Sequence, residues 1–116
     1  MANDGFERVA IDIHYYGVFD SAQLSRTREQ QIAAACDQAA GIRNFDLWTV
    51  VGEWSTASTD CANKAYGPSG GSRYDGTYQG SHYIGPCDPY TGSGAHFSQD
   101  YKEFMRKFYE AQTSCQ

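Results

Sequence analysis

The chain has 116 residues, room for one small domain with a modest core, and its formal net charge of −5 speaks against an electrostatic nucleic-acid footprint. No apolar run approaches the roughly 20 residues that span a bilayer, so no membrane span is expected. Nine tyrosines and twelve glycines fit a sugar-stacking surface and an aromatic core equally well, so composition goes no further.

Residues 1–8 carry neither a basic stretch nor an apolar one, and the expectation is that they are not a secretory signal. Residues 9–15 (Val-Ala-Ile-Asp-Ile-His-Tyr) are β-branched and mostly apolar, which predicts a strand. The chain then enters a loop through Gly17. Residues 25–40 predict a helix. Ile32, Ala35, Cys36 and Ala39 fall at i, i+3, i+4 and i+7, Ser25 or Thr27 can cap the start, and Gly41 is a plausible stop. Asn44 and Asp46 mark a turn. Residues 47–52 predict a second strand, which runs into Glu53, Trp54 and Ser55. The unit has the length of a right-handed crossover between parallel strands, and both strands are expected to be buried on both faces.

Residues 55–97 form a long irregular segment rich in glycine and proline. Loops of this length are functional or disordered, and Tyr66, Tyr74, Tyr78, Tyr83 and Tyr90 speak against disorder. Cys61 and Cys87 lie inside it and can staple it into a lobe. Residues 98–112 predict a last helix, with Ser98 as N-cap, Asp100 in the first turn, and an apolar stripe of Tyr101, Phe104, Met105 and Phe108. Two parallel strands cannot by themselves bury their own faces and cover two apolar helices. The pattern therefore reads as part of a larger α/β sheet or barrel.

Four cysteines are dispersed through the chain with no CxxC pair, which points to disulfides and an oxidising compartment, not to a zinc site. That conflicts with the missing signal unless the chain is not a complete gene product. His82 and His96 stand at no metal spacing and read as solvated, so no metal and no cofactor are expected. Trp48 reads as core. Asp12 fits a buried partner or a strand-end cap. Arg73, Tyr74 and Tyr78 read as stitching for the loop lobe. Glu53 is the residue with chemical promise, because a carboxylate beside an indole at the end of a buried strand is how parallel barrels present a nucleophile to a sugar. Its plain alternative is a strand-end acid pointing into water.

Two motifs fall at the ends of successive strands: Asp12-Ile13-His14-Tyr15-Tyr16-Gly17-Val18-Phe19, and Val50-Val51-Gly52-Glu53-Trp54-Ser55 followed by Thr59-Asp60-Cys61-Ala62. With Arg73-Tyr74-Asp75-Gly76-Thr77-Tyr78, Tyr83-Ile84-Gly85-Pro86-Cys87, Tyr101-Lys102 and Tyr109-Glu110-Ala111-Gln112, the chain resembles the fungal exo-β-1,3-glucanases of glycoside hydrolase family 5 over nearly its whole length. The resemblance implies part of a (β/α)8 TIM barrel, covering about strands six and seven with their helices and the long loop at 55–97. It implies Glu53 as catalytic nucleophile and His14 and Tyr16 as substrate-binding residues, with the tyrosine hydroxyl fixing the carboxylate. Position 15, often histidine in relatives, is Tyr15 here and receives no role.

The implied reaction is retaining hydrolysis of β-1,3-glucan, poly- or oligosaccharide, with release of glucose and no cofactor. A retaining glycosidase needs a second carboxyl group roughly 5–5.5 Å from the first. The family's acid/base glutamate stands in an Asn-Glu-Pro motif that this sequence does not contain, so the chain alone is expected to be inactive. The resemblance further implies a Cys61–Cys87 disulfide, a family partner for Cys36 outside this sequence, an extracellular or cell-wall location and a monomeric parent. Cys115 has no family counterpart, and pairing with Cys36 or a free thiol both stay open. The alternatives are a non-catalytic carbohydrate-binding remnant and a small secreted domain held by two disulfides.

Overall fold

A computed structural model describes residues 5, 7–62 and 65–115. Residues 1–4 and 6, on which part of the signal reading falls, lie outside the described residues. Strand β1 (Ala10–Tyr15) leads through a short helix α1 (Ser21–Leu24) into α2 (Arg28–Ile42), β2 (Trp48–Trp54), a long lobe with two 3-10 turns, and α3 (Gln99–Ser114).

The helix expected over 25–40 is broken in two for a local reason. Asp20 caps α1, its side chain accepting from the Gln23 amide, and Ser25 closes that helix instead of opening the next. Thr27 is the N-cap of α2. Its hydroxyl accepts from the Gln30 amide at 3.1 Å, and the Gln30 side chain accepts from the Thr27 amide at 2.8 Å. Gly41 does not stop α2, which runs on to Ile42 with Arg43 as C-cap. Ser98 caps α3 as expected, accepting from the Tyr101 amide at 3.1 Å.

The core lies between α2 and α3. Ala35, Tyr101, Phe104 and Phe108 are buried together, with Ile32, Met105 and Ala111 packed around them. Phe108 is fully buried. A disulfide joins Cys36 of α2 to Cys115 at the end of α3, and the Arg43 guanidinium donates to the Cys115 carbonyl. Gln31, buried on α2, donates to the carbonyls of Gly17 at 3.3 Å and Gln23 at 2.9 Å. It thereby holds the segment that follows β1 against the helix.

β1 and β2 are parallel neighbours. Among the described residues of this chain the strands are covered on one face only. Ile11, Ile13, Tyr15, Thr49, Val51 and Trp54 are half-buried on one side, whereas Ala10, Asp12, His14, Trp48, Val50 and Glu53 are exposed on the other. Trp48, read as core, is 87 % exposed. The helices pack on each other and on one face of the sheet, and among the described residues nothing covers the second face.

The lobe is organised by Asp60, which is 2 % exposed. Its carboxylate accepts from the Ser72 hydroxyl at 2.6 Å, the Tyr66 hydroxyl at 2.9 Å and the amides of Arg73 and Tyr74 at 2.8 and 3.0 Å. Burial pushes the Asp60 pKa up, but these hydrogen bonds to the ionised form outweigh it and hold the group below its ordinary value. Burial, with the hydrogen bond to Asp60, raises the Tyr66 phenol to about 12. The Arg73 guanidinium lies over Tyr66 and Tyr78, at 4.9 and 4.2 Å from the ring centres. A Cys61–Cys87 disulfide closes the lobe. Arg73, Tyr74 and Tyr78 thus stitch the lobe together, and His82 and His96 are exposed as the sequence suggested.

Candidate active site at the strand ends

The exposed face of the sheet is polar at its C-terminal end. In the parallel register Ile13 lies opposite Val51, but His14 lies opposite Glu53, so Gly52 is an extra residue in β2. Strict alternation from Val51, on the helix side, would put Gly52 on the open face and Glu53 back toward the helices. The bulge cancels that step and brings Glu53 to the open face beside His14. Trp54 then turns inward and packs on Tyr109 of α3, ring centres 5.5 Å apart.

Three side chains named from sequence meet here. The Tyr16 hydroxyl donates to Glu53 Oε2 at 3.0 Å. His14 Nδ1 lies 3.4 Å from the same oxygen. The other ring nitrogen, Nε2, faces Asp12 Oδ2 at 3.3 Å, and Asp12 Oδ1 accepts from the Gly52 amide at 3.0 Å. One line of contacts therefore runs from the bulge amide through Asp12 and His14 to Glu53 and Tyr16. The hydrogen bond to Glu53 raises the Tyr16 pKa, because ionising the phenol would set it against the carboxylate.

The arrangement can hold one carboxylate in a fixed orientation, with about half of the Glu53 side chain open to solvent. No group of three or more His, Cys, Asp or Glu is placed to hold a metal ion among the described residues. No helix there is long and apolar enough to cross a membrane. Sequence reasoning reached Glu53, His14 and Tyr16 but not Asp12, whose partner is a backbone amide 40 positions away. The spacing of Asp12 two residues before His14, hence on the same strand face, was the available signal. Asp60 was missed as the centre of the lobe because three of its four partners lie beyond the turn, at 72–74.

No family model matches the chain. Comparison with curated proteins does find relatives. The chain is 41 % identical over 114 residues to glucan 1,3-beta-glucosidase I/II of Saccharomyces cerevisiae, 95 % of this chain and 25 % of that protein. It is 39 % identical over 113 residues to a glucan 1,3-beta-glucosidase of Lachancea kluyveri, 94 % of this chain and 26 % of that protein. It is 42 % identical over 106 residues to a probable glucan 1,3-beta-glucosidase A of Aspergillus niger, 90 % and 26 % respectively. The chain spans about a quarter of the length of these relatives. The likeness read from the spaced motifs thus extends over nearly the whole chain, which matches a segment of the glucan 1,3-beta-glucosidases.

Proposed function

We propose that this chain supplies the nucleophile half of a retaining β-1,3-glucan-hydrolysing site, in a longer protein of glycoside hydrolase family 5 that releases glucose. Glu53 is the nucleophile. The observation that carries the reading is the pair of contacts on a single Glu53 oxygen, from the Tyr16 hydroxyl at 3.0 Å and His14 Nδ1 at 3.4 Å, on a solvent-open strand end. A carboxylate held in this way attacks the anomeric carbon along one direction and loses little orientational freedom in the transition state. His14 and Tyr16 also contact the sugar being cleaved.

In the reaction Glu53 displaces the glycosidic oxygen and forms a covalent glycosyl-enzyme. A second carboxyl group protonates the leaving oxygen and then activates the water that frees the sugar. Asp12, the other acid on this face, is occupied by the Gly52 amide and the His14 ring. The acid/base group belongs to the part of the longer relatives that this chain does not span. The parent fold is a (β/α)8 barrel, of which β1, α2, β2 and α3 form consecutive units and residues 55–97 an active-site lobe. The open, partly apolar sheet face supports that placement, because it is the surface a closed barrel would bury. The parent acts as a monomer outside the cell or in the cell wall, and the two disulfides fit an oxidising compartment. One observation favours the reading of a small disulfide-held domain, the Cys36–Cys115 bond, but the exposed Trp48 and Val50 weigh against a finished domain.

The test places the chain in the matching segment of the Saccharomyces cerevisiae relative and measures glucose release from laminarin. The chimera is expected to be active, and Glu53→Gln is expected to lower kcat on the order of 10⁶-fold, the scale of losing a covalent nucleophile. A folded chimera whose activity survives Glu53→Gln would overturn the assignment.

A further inference from the structure

We infer that Asp12 is a positioning residue for the nucleophile: its carboxylate holds the β2 bulge and the His14 ring together, and so sets the direction in which Glu53 points. The inference rests on the reading of Glu53 as nucleophile. Three observations carry it. The Gly52 amide, the extra residue of the bulge, donates to Asp12 Oδ1 at 3.0 Å. A Cβ added at Gly52 would stand 2.2 Å from that same oxygen, so a side chain at 52 and the Asp12 contact exclude each other. Asp12 Oδ2 lies 3.3 Å from His14 Nε2, which turns Nδ1 toward Glu53.

Each half of the carboxylate has a separate task. Oδ1 gives a partner to the bulge amide, ties β2 to β1 at that point and so opposes a slip toward the regular register. That slip returns Glu53 to the helix side of the sheet. Oδ2 orients the imidazole. Asparagine at 12 keeps an acceptor for the Gly52 amide but presents a neutral amide to the ring. Alanine removes both contacts. The two substitutions therefore separate the bulge from the ring, which a residue with a merely structural role would not do.

In the chimera with the Saccharomyces cerevisiae relative, Asp12→Ala is expected to lower kcat for laminarin about 100-fold, with KM changed less than about threefold, the scale of a misplaced reacting group. Asp12→Asn is expected to lose only about tenfold, because the Gly52 amide keeps an acceptor while the His14 contact is weakened. Gly52→Ala is expected to be as damaging as Asp12→Ala, and the double variant no worse than either single one. A second measurement needs no turnover. In the chimera, hydrogen exchange of the Gly52 amide should be slowed by its Asp12 acceptor, and Asp12→Ala should speed it. An inactive parent chimera defeats the function reading alone. An active chimera with wild-type kcat in Asp12→Ala, or a Gly52 amide indifferent to Asp12, overturns the positioning role.

Discussion

The loop lobe and the strand-end face are built from the same polar and aromatic residue types, yet one is closed and the other open. In the lobe, a buried carboxylate takes four hydrogen bonds and a disulfide fixes the boundary. On the strand face the acids are paired to neighbours at 3.0 to 3.4 Å but stand in solvent, and Trp48 and Val50 are bare beside them. The lobe satisfies its own polar groups. The strand face pairs its polar groups with one another and leaves them open to solvent. Burial commits Asp60 to the lobe, and exposure leaves the Glu53 carboxylate half open to solvent.

Cutting the lobe's staple should have the largest effect on this contrast. Cys61→Ser with Cys87→Ser is expected to cost about 2–4 kcal/mol in urea unfolding. Proteolysis should then fall first within residues 62–86, with the α2–α3 core still protected. Equal loss of protection in both regions would show that the lobe is no separate unit.

A smaller effect is expected from Asp60→Asn, about 1–3 kcal/mol, because one or two of the four donors are left without an acceptor. The pH dependence has a definite sign. The Asp60 pKa is lower in the folded protein, so its contribution is complete above the unfolded value of about 3.9 and is lost as pH falls through the folded one. Protection of the Arg73 and Tyr74 amides, measured against their intrinsic exchange rates, should fall below about pH 4 in the native chain. In Asp60→Asn it should lack that acid step. Persistence of the step in the variant would move its origin away from Asp60.

The smallest effect is expected on the open face. Trp48→Ser should change stability by less than about 0.5 kcal/mol, since the indole is 87 % exposed, while lowering self-association of the chain in sedimentation. A large loss of stability would mean that Trp48 has a covering partner.

The helices were legible because their signals are local. Thr27 and Ser98 sit at their caps, and Ala35, Ala39, Phe104 and Phe108 fall on stripes of helical period. The break between α1 and α2 was not legible, because Ser25 and Thr27 are both good caps and only the chain path chooses between them. Which strand face this chain covers was not legible, since an apolar run does not reveal which layers a given stretch of chain supplies.

The sequence by itself determined the parallel strand–helix–strand unit, the Ser98 cap, and the residue types at the strand ends: Glu53, His14 and Tyr16. Tertiary structure alone decided that Cys36 bonds Cys115, that Asp60 gathers the lobe, and that Glu53 shares a face with His14. The physical reason is that each contact joins positions far apart in the chain, 79 residues for the disulfide and 12 to 14 for Asp60 with residues 72–74, and for Glu53 it is the strand bulge. Strand alternation fixes side-chain direction only up to the next bulge, and the bulge at Gly52 is held by Asp12, a residue 40 positions earlier in the chain.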